Sequence, residues 1–417
     1  MSKTVAPGIQ KMGPQHYRVW WTERLAGARR SRTIRGTLEE AKQTRAAILE
    51  SMRRREYVAP SARTLKQALT EWLATRELRA ETRESTHLRY QSLLLGSLSE
   101  HLGAVLLQDL DAGMIDDYYL WALKHEMTRL GKLVSPQTIR KRHQALKMAL
   151  DDAVRRRLIS SNPAASASAP RAKRPEGQAF TLEEAVLVLS KADADPIVAL
   201  PVRLALFTGM RLGEVLGLKW RDVALGEGGS RLIVAGQVVE LGGRFTVEPY
   251  AKTESSRRTI TLDVGLAETL IEHRRQQGEQ QAVFGEAWQQ SDLVCAAPGG
   301  GITRPSLVSR TFSALVRPLE ESGDLSTAGA TYHTLRHTNA TLSILEGVPI
   351  NVVSKRLGHR DITVTLAYYA HLMPGNDEAA AEAFAALFVP RKLRAMHTKR
   401  TGSAPRRVAA QRVAAGR

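Results

Sequence analysis

The chain changes its pattern of apolar and polar positions three times. Tyr17-Arg18-Val19-Trp20-Trp21 alternates and is aromatic, the period of a strand. Arg29-Arg30-Ser31-Arg32-Thr33-Ile34-Arg35 reads as a second, very basic strand. Thr37-Leu38-Glu39-Glu40 has capping-box spacing and opens a helix through Ala41, Ala46 and Leu49. Residues 1–57 therefore predict a small β-β(-β)-α unit, closed by the breaker Tyr57-Val58-Ala59-Pro60-Ser61.

Between residues 61 and 165 the period is helical. Leu65, Leu69, Trp72 and Leu73 mark one helix, Leu88, Leu94 and Leu95 another, and Ile115, Tyr119 and Leu123 a third. Ser135-Pro136 supplies an N-cap followed by an N1 proline. Ile139, Leu146, Leu150 and Val154 then form an apolar face, with Arg140, Lys141, Arg142 and Lys147 largely off it. Residues 166–177 read as a flexible basic linker. A second capping box, Thr181-Leu182-Glu183-Glu184, starts a mainly helical domain over 178–390. Inside it, Leu232-Ile233-Val234, Val238-Val239-Glu240, Arg244-Phe245-Thr246-Val247 and Thr259-Ile260-Thr261-Leu262 form a β-rich insert. Glycines 228, 229, 242 and 243 supply its turns. Residues 391–417 form a basic tail without acids, expected to be disordered. The expected fold is mainly α with small β elements, in three domains.

Composition narrows the function. The chain carries 60 Lys and Arg against 42 Asp and Glu, a net charge of +18. Such a surplus on a chain that is 43% hydrophobic points to a folded protein with a polyanionic partner, nucleic acid. Arg30, Arg32 and Arg35 on the basic strand, and Arg140, Lys141, Arg142 and Lys147 on the helix, are the candidate contacts. Cys295 is the single cysteine and sits in an apolar run, so it reads as inert core in a reducing cytoplasm. No run of about 18 apolar residues predicts a membrane span, and the first residues lack the apolar core of a secretory signal.

Four short motifs carry chemistry. They are Thr208-Gly209-Met210-Arg211-Leu212-Gly213-Glu214, His333-Thr334-Leu335-Arg336, Leu357-Gly358-His359 and Tyr368-Tyr369-Ala370-His371. Arginine grips a phosphate with a planar fork of donors. Histidine moves protons near neutral pH, and tyrosine forms covalent intermediates. This set, without an acidic cluster, suits metal-free attack on a phosphodiester. Gly209 permits a turn, Arg211 starts the following helix, and Glu214 is spaced to hold the guanidinium or cap that helix. His337 is expected on a different helical face from His333, in a buried or structural role. Trp220 is expected to pack at a helix end.

In this order the motifs resemble those of the tyrosine recombinases, the phage-type integrases. The resemblance runs from about Phe180 to Val389. The preceding helices resemble that family's core-binding domain, and the β-β-α unit resembles its arm-type DNA-binding domain. It implies that Arg211 and Arg336 bind the scissile phosphate and that His333 and His359 assist proton transfer. Lys252, in Lys252-Thr253-Glu254-Ser255-Ser256-Arg257-Arg258, would be the general acid. Arg257 and Arg258 would contact the DNA backbone or cap the hairpin. A Tyr-x-His spacing to His371 selects Tyr369 as nucleophile over Tyr368. The implied partners are double-stranded DNA at core-type and arm-type attachment sites, three further copies of the chain, a host DNA-bending protein and an excisionase. No cofactor and no metal are implied. The Ala-rich stretch from Glu378 to Phe388 would dock on a neighbouring protomer or pack on its own subunit. A chromosome-dimer resolvase, a type IB topoisomerase and a non-catalytic DNA-binding protein are the competing readings.

Overall fold

The computed structural model describes residues 3–22, 29–54, 57–79, 84–128, 131–172, 178–226, 228–250, 257–359 and 361–369. The chain forms two compact units, Met1–Arg174 and Pro175–Arg417. Lys252, His371, the stretch 378–388 and the tail lie outside the described residues.

The first unit opens with an antiparallel sheet in the order β1 (Lys3–Ala6), β2 (Ile9–Gly13), β3 (His16–Thr22), β4 (Arg29–Arg35). The helix α1 (Leu38–Arg53) follows, and its Thr37–Glu40 capping box is present. Alternation finds β3 and β4 but misses β1 and β2. These two are short and polar, and only Ile9 of β2 is buried, so pairing rather than burial holds them. Tyr17, Val19 and Trp21 are buried with Ile9 and Ala41 of α1. Trp21 is thus core, and its indole N–H donates to the Tyr57 hydroxyl at 2.8 Å. Trp20 lies on the other face, with the Arg29 guanidinium 4.9 Å from its ring centroid.

Register separates the basic residues of β4. Arg29 and Arg35 pair opposite Thr22 and His16, on the face away from α1. Arg30 and Arg32 pair opposite the buried Trp21 and Val19 and are exposed on the sheet's edge strand.

The helices α2 (Leu65–Leu78), α3 (Glu84–Leu95), α4 (Ser97–Leu102), α5 (Ala112–His125) and α6 (Pro136–Arg155) surround a second core. Leu69, Leu94, Ile115, Tyr119, Ile139 and Leu146 lie within it. One expectation fails here. Arg142 is 8% exposed and is not an outer-face residue. Buried Ile139, Arg142, Leu146, Ala149 and Ala153 follow the three-four repeat of one helix face, and Arg142 falls on that stripe. Its guanidinium grips Glu126 through two bonds, 2.5 and 2.6 Å, and donates to the Tyr118 hydroxyl at 2.8 Å. Ser97 donates to the same carboxylate. A buried charge persists when it is paired in this way.

The second unit contains α7 (Leu182–Ala192), α8 (Ala199–Thr208) and α9 (Leu212–Leu216). Its strands are β5 (Val223–Ala224), β6 (Arg231–Val234), β7 (Gly236–Leu241), β8 (Arg244–Pro249) and β9 (Arg258–Thr261). Then come α10 (Val264–Phe284), α11 (Pro305–Glu321), α12 (Tyr332–Leu345), α13 (Ile350–Leu357) and α14 (Ile362–Tyr369). The insert comprises a sheet ordered β5-β6-β9 and a separate hairpin, β7-β8, turning at Gly242 and Gly243. The two-residue β5 is too short to show a period. Phe180, Val202, Met210, Val215, Ile260, Phe312 and Leu335 share the core. Cys295 is buried there, and burial pushes its thiol up to about 12, so it is inert. No helix among the described residues is long and apolar enough to cross a membrane.

Candidate active site

Helix α8 stops at Gly209, which adopts φ +70° and returns its N–H to Ala205 at 2.9 Å. A Cβ at this position would lie 2.6 Å from Leu357 of α13 and 2.8 Å from Asn339 of α12. Glycine is therefore required both for backbone conformation and for close approach. The chain then enters α9 through Arg211. Gly213 and Gly217 let α9 lie flush on β7, because a Cβ on either would meet Val238 or Gln237 backbone at 2.8 Å.

Glu214 on α9 is 0% exposed and accepts five hydrogen bonds. Arg211 gives its backbone N–H at 2.8 Å and Nη1 at 3.0 Å. Arg258 of β9 gives Nη1 at 3.1 Å and Nη2 at 2.9 Å, and the Tyr250 hydroxyl donates at 3.2 Å. Burial alone would raise the pKa of Glu214. The Arg258 bonds and charge, with the Arg211 N–H, outweigh it and hold the carboxyl at about 2. Burial and the Glu214 charge push the Tyr250 hydroxyl up, so it stays protonated as a donor.

Arg336 on α12 is 3% exposed, and its Nη1 donates to the Gly209 carbonyl at 2.6 Å. Two arginines thus meet at one turn, Arg336 on its carbonyl and Arg211 two residues later. His333 lies one turn before Arg336 and, unlike it, is exposed. Crowding by protein, then the charges of His337, Arg336 and Arg211, lowers its pKa to about 4. His359 follows Gly358, which has φ +70° and leaves room for Arg258; a Cβ there would be 2.9 Å from Arg258 Nη1. Burial, then Arg336, Arg211 and Arg258, lowers His359 to about 4 as well. Its Nδ1 lies 2.8 Å from the Thr365 hydroxyl, which ties it to α14. Both imidazoles are neutral at neutral pH, and the charges of Arg211 and Arg336 act on each of them.

Residues 182–375 match the phage integrase family and residues 68–169 match the phage integrase SAM-like domain. The chain belongs to the phage integrase family, the tyrosine recombinases. It is a DNA strand transferase, cutting and rejoining DNA through a tyrosyl intermediate. It is 26% identical over 402 residues to a XerC-like tyrosine recombinase of Caldanaerobacter subterraneus subsp. tengcongensis, spanning 91% of this chain and 98% of that one. It is 27% identical over 345 residues to an integrase of Streptomyces ambofaciens, spanning 80% and 82%. The Tn1549 transposon integrase, solved with a circular intermediate DNA, shares the fold at TM-score 0.63 and 19% identity, over 78% of this chain and 99% of that one.

In this recombinase, Arg211, Glu214 and Arg336 lie at the Gly209 turn, and the charges of Arg211 and Arg336 reach His333 and His359. Tyr369 ends α14, one helical turn beyond Thr365. Lys252 lies outside the described residues. Two readings need correction. His337 is not on a different face from His333: four residues apart on α12, their rings meet edge to face at 4.7 Å. Arg258 is neither a backbone-contacting nor a hairpin-capping residue but a buried partner of Glu214, 7% exposed. Arg257, one residue earlier, is exposed. Sequence reasoning missed Tyr250 altogether, although it directly precedes the Ala251-Lys252 motif. Among the DNA candidates, Arg140 is exposed, Lys141 half-buried, and Lys147 pairs with Asp151 at 2.9 Å.

Proposed function

We propose that this enzyme is the integrase of a temperate phage or integrative mobile element, acting on double-stranded DNA at attachment sites. The observation that carries the reading is the meeting of Arg211 and Arg336 at the Gly209 turn, whose charges help to keep two histidines neutral. A phosphodiester repels nucleophiles through its charge. Two guanidinium groups on its non-bridging oxygens offset the charge that develops as the fifth oxygen arrives. Tyr369 attacks, and because a free phenol titrates near 10 it must lose its proton on the way. A neutral His333 or His359 can take that proton, which an imidazolium cannot. Lys252 supplies a proton to the leaving 5′ oxygen. The product is a 3′-phosphotyrosyl link and a free 5′ hydroxyl. The bond energy is kept, so a 5′ hydroxyl from a second duplex reverses the step, exchanges strands and forms a Holliday junction without metal or ATP.

Two duplexes cut at two positions each require four active sites, hence a tetramer on DNA. Residues 178–390 form the catalytic domain and residues 61–165 the core-binding domain. Residues 1–57 act as an arm-type domain, supported by the open sheet face carrying Arg18, Trp20, Arg29 and Arg35. A host DNA-bending protein and an excisionase complete the machinery, in the cytoplasm of a bacterial host. The test is a recombination assay between two attachment-site duplexes beside relaxation of a supercoiled plasmid, both in excess EDTA. Strand exchange in EDTA supports the reading. Relaxation without exchange would assign a topoisomerase-like activity, and loss of cleavage on chelation would remove the metal-free mechanism.

A further inference from the structure

The five-donor shell around Glu214 is larger than one arginine clamp needs. Arg211 supplies only two of the donors; Arg258 and Tyr250 supply the other three. Of these side chains Arg211 is the one that reaches outward, 39% exposed against 7% for Arg258. Its Nη1 is committed to Glu214, and among the described residues Nε and Nη2 make no hydrogen bond. Those are the donors a phosphate would use.

The two helpers are themselves held. Arg258 Nε donates to the Arg356 carbonyl at 2.6 Å, in space that Gly358 leaves open. Tyr250 donates its backbone N–H to Ala235 at 2.8 Å, and its hydroxyl also lies 3.2 Å from Gln237 Oε1. Gln237 is pinned in turn, because β7 packs on the glycine face of α9. A buried carboxylate deprived of donors draws on the nearest mobile cation. Without Tyr250 or the Arg258 fork, that cation is Arg211, whose guanidinium would turn inward and leave the phosphate side.

We propose that Tyr250 and Arg258 are positioning residues for Arg211, acting through Glu214 to keep its outer nitrogens free for the scissile phosphate. The proposal rests on the reading that Arg211 clamps that phosphate. It does not involve the leaving group, although Lys252 falls two residues after Tyr250 in sequence.

The experiment is single-turnover cleavage by the full-length enzyme of a nicked core-site duplex from the element's own ends. The scissile phosphate is compared with a methylphosphonate, which is neutral and needs less cationic help. Tyr250→Phe should slow phosphodiester cleavage about tenfold with DNA affinity unchanged, the effect of one lost hydrogen bond to a charge. On the methylphosphonate, variant and parent should differ by less than about twofold. Arg258→Lys keeps the charge but loses the fork, and should show the same pattern with a larger effect; a thermal melt checks that each variant folds. Equal slowing on both substrates, or no slowing, overturns the proposal. So does rescue by a 5′-bridging phosphorothiolate, whose sulfur leaves without a general acid, because it would move the effect to the leaving group. Arg211→Ala separates the two claims. If it is not rescued by the methylphosphonate, the phosphate-clamp reading fails and takes the proposal with it. If it is rescued and Tyr250→Phe is not, only the proposal fails.

Discussion

Replacing Glu214 by glutamine keeps the shape of the side chain and removes its charge. Arg211 and Arg258 then face an amide whose N–H groups repel their own. A carboxyl that titrates at 4.5 when free and about 2 here contributes about 3 kcal/mol of stability at pH 7. Breaking a buried ion pair by removing one partner costs roughly 3–5 kcal/mol. Because Arg211 can turn toward water, the lower end applies, about 3 kcal/mol. The sign follows from the lowered pKa. The contribution is complete above the free value and is lost as pH falls through the folded value, so the penalty of Glu214→Gln should shrink on acidification. Between pH 7 and pH 4 it should narrow by roughly 1 kcal/mol. Hydrogen exchange on the amides of α8, α9 and β9, corrected for intrinsic rates, reads this region apart from the rest of the chain. A penalty below about 1 kcal/mol at pH 7, or one that does not change with pH, would refute the account of Glu214.

Gly209→Ala places a methyl against Leu357 and Asn339 at a left-handed residue, so cleavage should drop at least tenfold, with α12 and α13 losing exchange protection; near-normal cleavage would show that the turn relaxes freely. Arg142→Ala should destabilise the helical domain by about 3 kcal/mol and leave the salt dependence of DNA binding unchanged. Arg140→Ala, at an exposed position, should reduce that salt slope by about 1 and leave stability nearly intact. The reverse assignment would restore Arg142 as a DNA contact. His333 and His359 resist protonation in the folded chain, so the unfolded chain binds more protons from pH 6.5 downward and stability falls as pH drops toward 4. Changing both to glutamine should flatten that slope, and an unaltered slope would mean that other groups set it.

Much of this was legible in the sequence because local rules governed it. Three capping boxes or caps, at Thr37, Ser135 and Thr181, appear where their spacing indicates. The motif glycines are explained by contacts that only the fold reveals: Gly209 against Leu357, Gly358 against Arg258. What stayed hidden depended on partners distant in sequence. Arg142 looked solvent-facing because a charged residue on an apolar stripe is invisible until Glu126, 16 residues away, is seen to neutralise it. Arg258 looked like one of a basic pair because its carboxylate lies 44 residues earlier. Tyr250 carried no signal of its own, because its hydroxyl meets the same oxygen as Arg211 on a carboxylate 36 residues earlier. The strands β1 and β2 escaped because their order comes from pairing, β1 with β2 and β2 with β3.

In the proposed reaction Tyr369 carries the DNA while two arginines hold the phosphate, without a metal. Trapping the enzyme on a nicked core-site duplex in EDTA and mapping the DNA-bearing peptide by mass spectrometry tests it most directly. A covalent adduct on Tyr369 is expected, absent in Tyr369→Phe and retained in Tyr368→Phe. An adduct on Tyr368, or no adduct until metal is restored, would contradict it.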